Sequence, residues 1–422
     1  MKQIFIPILL FLCWSLQAQE IQEAQEKLVV QPILALQLWS TYTTDQQLFN
    51  ADLQQLEAVD NRVNFLLQRT RLGAKGSYGS RWVYDLTGSL DFVGRDVLAG
   101  TFGASNNGPS PLFRIWNALV QYKASPQSEH LYITFGYQGP QMFRESITSP
   151  FSVSSFEKSF TQNYSRRHVV GTGPGRAVGM NIGGFFKGEG DQKIAFNYDV
   201  GIYNPRFTAL SGNSTGQQYS PLLTGRIGIH IGDPEYSKYS RGHKFNYRGK
   251  RNGVTLSLTG NRTGATNLWD SNESYGIDVL ANFGPINIGG EWMQLVRELE
   301  DTRSTASAGF ARISYHMPLK NTKVFEPVIT YFFLAGATAQ ADQEAAIALG
   351  TFSGRDNYIE LTMNYYMSPK ARFSLSYTLR DGEAGDLDSS LVNNNFFQQG
   401  GAGAIERGSY LGIGLLFNVF GK

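Results

Sequence analysis

The chain has one cysteine, Cys13. It lies inside the apolar stretch Ile4 to Trp14, which follows Lys2 and precedes the small Ala18, the layout of a secretory signal with its cleavage position. The mature chain is therefore expected to start near Gln19 with no cysteine, which excludes disulfides and thiolate metal sites. Leu10-Phe-Leu12 does not form a lipoprotein cleavage site ahead of Cys13, so that residue is apolar filler. No later run reaches the roughly 18 uncharged apolar residues of a transmembrane helix. Charge is scarce and nearly balanced, with 37 Lys+Arg against 35 Asp+Glu, so the chain carries no electrostatic footprint for nucleic acid. Pro- or Ser-rich linkers are missing too, although a soluble all-β chain of 422 residues would ordinarily divide into domains. His130, His168, His230, His243 and His316 are scattered without metal spacing. Nothing gathers a nucleophile, a base and an acid, so neither an enzyme nor a cofactor is expected.

What the chain does have is alternation. In Arg81 to Phe92, Trp82, Tyr84, Leu86, Leu90 and Phe92 share one face, and Arg81, Asp85, Thr87, Ser89 and Asp91 share the other. Such stretches recur at 32–43, 62–76, 81–93, 112–123, 130–138, 176–187, 193–203, 221–231, 252–261, 273–283, 285–296, 305–316, 324–334, 356–367, 370–380 and 408–420. Many reach the about 9–11 residues that a tilted strand needs to cross a membrane; soluble strands are nearer 5–6. The stretch 324–334 is poorly patterned. Residues 19–31 form a lead-in, expected on the periplasmic side, and 32–422 the β-region.

The connections add a parity. Gaps 44–61, 94–111, 139–175, 204–220, 335–355 and 381–407 are long, while 77–80, 124–129, 188–192, Gly284, 317–323 and 368–369 are short. An outer-membrane barrel has long loops outside and short turns on the periplasmic side. Gap 232–251 breaks the rule: it falls where a short turn belongs, yet it is long and basic. It is expected to be a long periplasmic turn with solvated charge, or else a hidden hairpin that would make eighteen strands.

The longest gap, 139–175, shows no clear helix or strand period and ends in Gly171-Thr-Gly-Pro-Gly-Arg176. That run lacks the Gly-Lys-Ser/Thr ending of a phosphate loop and precedes a strand, so it serves as the loop's return to the wall. A structureless stretch of this length points to function. We expect it to fold into the lumen as a constriction carrying Arg144, Glu145, Glu157, Lys158, Arg166 and Arg167. Those charges either face the pore or pair with one another and the wall to hold the loop. By alternation the wall presents Arg69, Arg71, Lys75, Arg81, Asp85, Arg114 and Arg226 to the lumen, with Arg372, Arg380, Asp91, Asp199, Asp278, Glu291 and Glu360. These either create a transverse field or face inward because lipid excludes them. Aromatics such as Trp39, Tyr42, Trp82, Tyr84, Trp116, Tyr137, Tyr365 and Tyr377 are expected in interfacial girdles.

Four stretches resemble the phosphate-selective porin O and P family of outer-membrane channels: Arg69-Thr-Arg-Leu-Gly-Ala-Lys-Gly76, Phe135-Gly-Tyr-Gln138, Ser149-Pro-Phe-Ser152 and Phe156-Glu-Lys-Ser159. The resemblance runs through roughly the first half of the mature chain. It implies a trimeric sixteen-stranded channel that admits anions. Two features depart from the family: Gly139-Pro-Gln-Met142 lacks the lysine that usually follows this motif, and Lys158 is the loop's only lysine, so the family's phosphate site is not visible. The C-terminus departs from the general barrel pattern, since Phe420 is followed by Gly421 and Lys422.

The expectation is thus an all-β, transmembrane antiparallel barrel of about sixteen strands in a Gram-negative outer membrane. It would contact lipid and pass small polar or anionic solutes, phosphate among them, by diffusion and without a cofactor. Two other readings share the export signal: a scaffold within an outer-membrane secretion or uptake complex, and a soluble exported β-protein that binds a ligand.

Overall fold

The computed structural model describes residues 27–99, 112–188, 193–206, 217–385, 392–397 and 404–420. The expected signal segment 1–18 and residues 19–26 of the lead-in lie outside the described residues, as do Gly421 and Lys422.

The described residues form sixteen long strands: β1 Leu28–Thr43, β2 Arg62–Tyr78, β3 Trp82–Leu90, β4 Phe113–Lys123, β5 Tyr132–Gln138, β6 Ala177–Lys187, β7 Ile194–Tyr203, β8 Leu222–Gly232, β9 Asn252–Thr263, β10 Ser271–Phe283, β11 Ile286–Leu299, β12 Thr302–Tyr315, β13 Val324–Ala335, β14 Arg355–Ser368, β15 Ala371–Glu383 and β16 Tyr410–Phe420. Each answers to one alternating stretch of the sequence, and β1 starts at Leu28 rather than at 32. All pair antiparallel with their sequence neighbours. β16 pairs with β1 from Ile33 opposite Phe420 to Thr43 opposite Tyr410, which closes the barrel. Closure leaves no edge, so every strand amide inside the lipid has a partner.

The polarity is inside-out. On β8, Leu223, Ile227, Ile229 and Ile231 point outward at 47–52% exposure, while the inward Thr224, Arg226 and His230 are at most 4% exposed. The apolar faces of β7, β15 and β16 also turn outward, as expected of walls that meet lipid. The aromatic girdle is only partly realised. Tyr42, Trp82 and Tyr377 face outward. Trp39 is instead buried inside the barrel, stacked 4.2 Å from Phe156.

The weak patterning of 324–334 has a structural cause. β13 turns Ile329 and Tyr331 outward, but its inward Val328, Phe332 and Leu334 are apolar as well. Phe332 and Leu334 share a cluster with Phe160 and Tyr164 of the long loop, the Tyr164 ring stacked 6.0 Å from Phe332. Apolar residues therefore lie on both faces, with Glu326 and Thr330 also turned inward, and the period of two fades.

The parity of connections mostly holds. At the long-loop end, the short strands Gln47–Asn50, Gln55–Ala58 and Ile405–Glu406 form a small sheet over an apolar cluster with Phe49, Val392, Phe396 and Phe397. Two connections at that end are short: 264–270, and the tight Glu300-Asp301 turn, where Glu300 adopts φ 51°. Among the described residues no helix is long and apolar enough to cross a membrane.

Leu258 lies outward near the middle of β9 and is 63% exposed. Leu258→Arg should cost about 2–4 kcal/mol of barrel stability, whereas Leu258→Ala should be far milder. Urea titration of the barrel refolded in lipid would measure the difference.

Candidate functional site

The long loop fills much of the lumen. It contains two helices that the sequence did not reveal, α1 Arg144–Ile147 and α2 Thr161–Val169. Helix α2, Thr-Gln-Asn-Tyr-Ser-Arg-Arg-His-Val, is almost wholly buried but lacks an apolar stripe, because its surroundings are mixed: Tyr164 and Val169 join an apolar cluster while Ser165 and Arg166 bond to Ser146. It ends at Gly171, whose φ of 80° suits glycine and whose amide donates to the Arg166 and Arg167 carbonyls. At Gly175 a Cβ would stand 2.3 Å from Arg166 Cγ.

Carboxylates hold this loop in place. The Arg144 guanidinium donates from both terminal nitrogens to Glu235, at 2.7 and 3.1 Å, and from Nε to Asp278 at 2.7 Å. Arg226 forms a second ion pair with Asp278 and donates to the Met142 carbonyl. Glu145 accepts from Arg312 at 2.8 Å and from the Ser159 amide at 2.6 Å, while its own amide donates to Glu291. Glu157 pairs with Arg69 at 2.6 Å. Glu360 accepts the Phe156 and Glu157 amides, and Glu326 accepts the Ser154 hydroxyl.

Of the two roles expected for the loop charges, these partners give most of them the second, holding the loop. Arg144, Glu145, Glu157 and Lys158 are 1–2% exposed, and the first three lock the loop to the wall. Lys158 donates to the Thr148 carbonyl at 2.7 Å; burial and the nearby Arg166 push its ammonium well below the usual range. Arg69 and Arg226 belong to the same buried network. Arg167 is half-buried on α2, and Arg114 is exposed at the start of β4.

The connection 233–251 is corrected. It folds into the lumen from the short-turn end rather than lying solvated, and it adds no hairpin to the barrel. Glu235 receives Arg144, Thr148 of the loop forms a parallel bridge with His243, and the Phe245 amide donates to the Ser152 carbonyl. Asn246 donates to Glu326 at 2.5 Å. Two segments, one from each end, therefore meet inside the barrel. The break in loop parity was the one sequence feature that marked the second.

Together they press against β10–β14 and leave a cavity of about 680 Å³ along β2–β5. Arg71, Lys75, Arg81 and Asp85 line it, and so do Arg166 from the loop and Arg176 at its return. Sequence reasoning missed Lys123, Lys238 and Arg241, which also line it. The Arg71 and Arg176 guanidiniums lie 3.7 and 4.1 Å from the Trp116 ring centroid. Asp85 is the only carboxylate among the described lining residues, against eight cations. Asp91 pairs with Arg71 and Glu129 with Lys123, so cations still outnumber carboxylates eight to three. Arg166, Arg176, Lys238 and Arg241 form no salt bridge among the described residues. Burial together with Arg69 and Arg71 pushes Arg166 down to about 9, which leaves it charged at neutral pH. Among the described residues no cluster of side chains could hold a metal ion.

A family model for phosphate-selective porin O and P matches residues 42–398. No curated protein matches the sequence. Solved structures do match. An anion-selective porin from Comamonas acidovorans aligns at TM-score 0.55 and 13% identity over 94% of this chain and 100% of that one. The outer membrane channel DcaP of Acinetobacter baumannii aligns at 0.54 and 11% over 93% and 97%. OprB of Pseudomonas putida, in its high-pH structure, aligns at 0.54 and 10% over 92% and 94%. At these identities the likeness is one of fold.

The Arg144–Glu235–Asp278 network is the latch of the loop. Removing one member of a buried pair strands its partner's charge and typically costs about 3–5 kcal/mol. Arg144→Ala should therefore undock the loop and raise single-channel conductance in planar bilayers while the barrel still folds; a wild-type conductance would mean that the network does not hold the loop.

The latch should also respond to acid. Burial alone would raise the Glu235 carboxyl, but Arg144 and His243 outweigh it and hold the group well below the usual carboxylate range. Its stabilisation is complete above the ordinary carboxylate value of about 4.3 and is lost as pH falls through the lower docked value. Conductance should rise as pH falls below about 4.3, and Glu235→Gln should reduce that rise.

Proposed function

Because this chain belongs to the phosphate-selective porin O and P family, we propose that it prefers small anions, which diffuse along the β2–β5 side of its lumen. The protein is a passive outer-membrane channel; its family and its closed barrel with an apolar outer belt point to a channel and not to an enzyme. The long-loop end then faces outside and the short-turn end faces the periplasm.

The excess of cations over carboxylates around the cavity carries the proposal. Whole-chain charge is only +2 and cannot set a preference. Inside a narrow passage the low dielectric and weak screening let each fixed charge act on a passing ion. Arg71, Lys75, Arg81, Arg166 and Arg176 supply that charge, and Asp85 moderates it. Phosphate falls within the solute class without being singled out: Lys158, the lysine of the loop, is buried against the Thr148 carbonyl and does not reach the cavity. Family membership supports a homotrimer, and the stretch before Gln19 supports export with signal cleavage. Heat-sensitive migration of the unboiled protein and N-terminal sequencing of the mature chain test these two points.

In a salt gradient the zero-current potential should report anion preference. Arg166→Gln with Arg176→Gln should move it towards cations, most strongly at low salt. A double variant with unchanged ion preference at low salt would overturn the assignment.

A further inference from the structure

We propose that the periplasmic connection 233–251 is the second half of the selectivity filter, with Lys238 and Arg241 as its specificity-determining residues. The inference rests on the anion-channel reading and adds to it an element from the opposite end of the barrel.

The connection is pinned on both sides of the residues in question. Ahead of them, Glu235 holds Arg144 at 2.7 Å. Between them, the Tyr239 hydroxyl donates to Asp199 at 2.5 Å, its amide to Glu129 at 3.0 Å, and its ring stacks 4.8 Å from Tyr132. Beyond them, His243 bridges to Thr148 and the Tyr236 hydroxyl lies 2.9 Å from His243 Nδ1. The arc 238–242 is thereby held at the cavity, which Lys75, Arg81 and Arg176 also line. Lys238 is exposed and Arg241 is partly exposed, and neither forms a salt bridge among the described residues. Lys244 and Lys250 of the same connection are exposed but do not line the cavity. A permeating anion would thus pass between a basic wall and a basic strap anchored by buried carboxylates.

The test compares two charge-matched double variants in salt-gradient bilayer recordings. Lys238→Gln/Arg241→Gln should lower the anion-to-cation permeability ratio by about twofold or more, and Lys244→Gln/Lys250→Gln should leave it near wild type, because only charge inside the passage escapes screening. Equal shifts in the two variants would make the connection an ordinary charged surface and overturn the proposal, as would no shift in the first. Lack of anion preference in the wild-type channel would refute the underlying reading instead.

Placement is tested separately. Since Cys13 is the chain's only cysteine, Lys238→Cys and Lys244→Cys can be modified singly with a negatively charged thiol reagent. Conductance that changes on modifying position 238 and not 244 supports a strap in the passage, whatever the ion preference. Equal response at both positions, or none at 238, removes it.

Discussion

Buried carboxylates on one side of the barrel organise everything else inside it. Asp278, Glu291, Glu326 and Glu360 project inward from β10, β11, β13 and β14. Lipid forbids them the outer face, and burial makes an unpaired carboxylate costly. Most of their partners are donors that the loop and the strap bring in: the Arg144 guanidinium, backbone amides, a serine hydroxyl and an asparagine amide, with Arg226 of β8 adding a second guanidinium at Asp278. The loop is held less by its own secondary structure than by this set of acceptors. An apolar cluster in which Phe143, Phe160 and Tyr164 pack against Met293, Phe310 and Phe332 adds to it.

That one-sided docking gives the lumen its asymmetry. The acidic wall spends its charge on the loop, and the opposite wall, β2–β5, keeps most of its cations around open space. A chain whose total charge is close to zero thus acquires a cavity with an excess of cations. The sign comes from where the carboxylates are used up, not from their number. Two internal segments meeting at Arg144 and Glu235 also make the filter a joint product of both ends of the barrel.

Alternation read correctly wherever the two faces of a strand meet different media. β8, β15 and β16 have lipid outside and polar groups inside, and their residues announce it. The same rule grew faint at β13 because its inner face meets the aromatic rings of the loop. It misplaced Trp39, whose indole stacks on Phe156 instead of sitting at an interface. Helix α2 escaped notice for a related reason: a helix buried on nearly every side among mixed polar and apolar partners has no single stripe for periodicity to find. The loop charges were readable as a group but not in their roles. Spacing along the chain says nothing about which arginine meets a carboxylate from a strand more than a hundred residues away, as Arg144 meets Asp278 and Glu145 meets Arg312.

Sequence alone determined a barrel of about sixteen strands, with eighteen left open, the faces most of them turn to lipid and the expectation that the long loop goes inside. Each of these follows from local chemistry: the period of two, the exclusion of charge from hydrocarbon, and a length that no surface turn needs. The tertiary structure decided which charges neutralise each other and which remain on the passage, and it turned a basic turn at the short-loop end into an internal strap. Those outcomes depend on distances between side chains that closure of the barrel brings together. The parity of the connections could mark 232–251 as unusual, but only the position of Asp278 and Glu291 on the far wall decides where the loop, and with it Glu235, comes to rest.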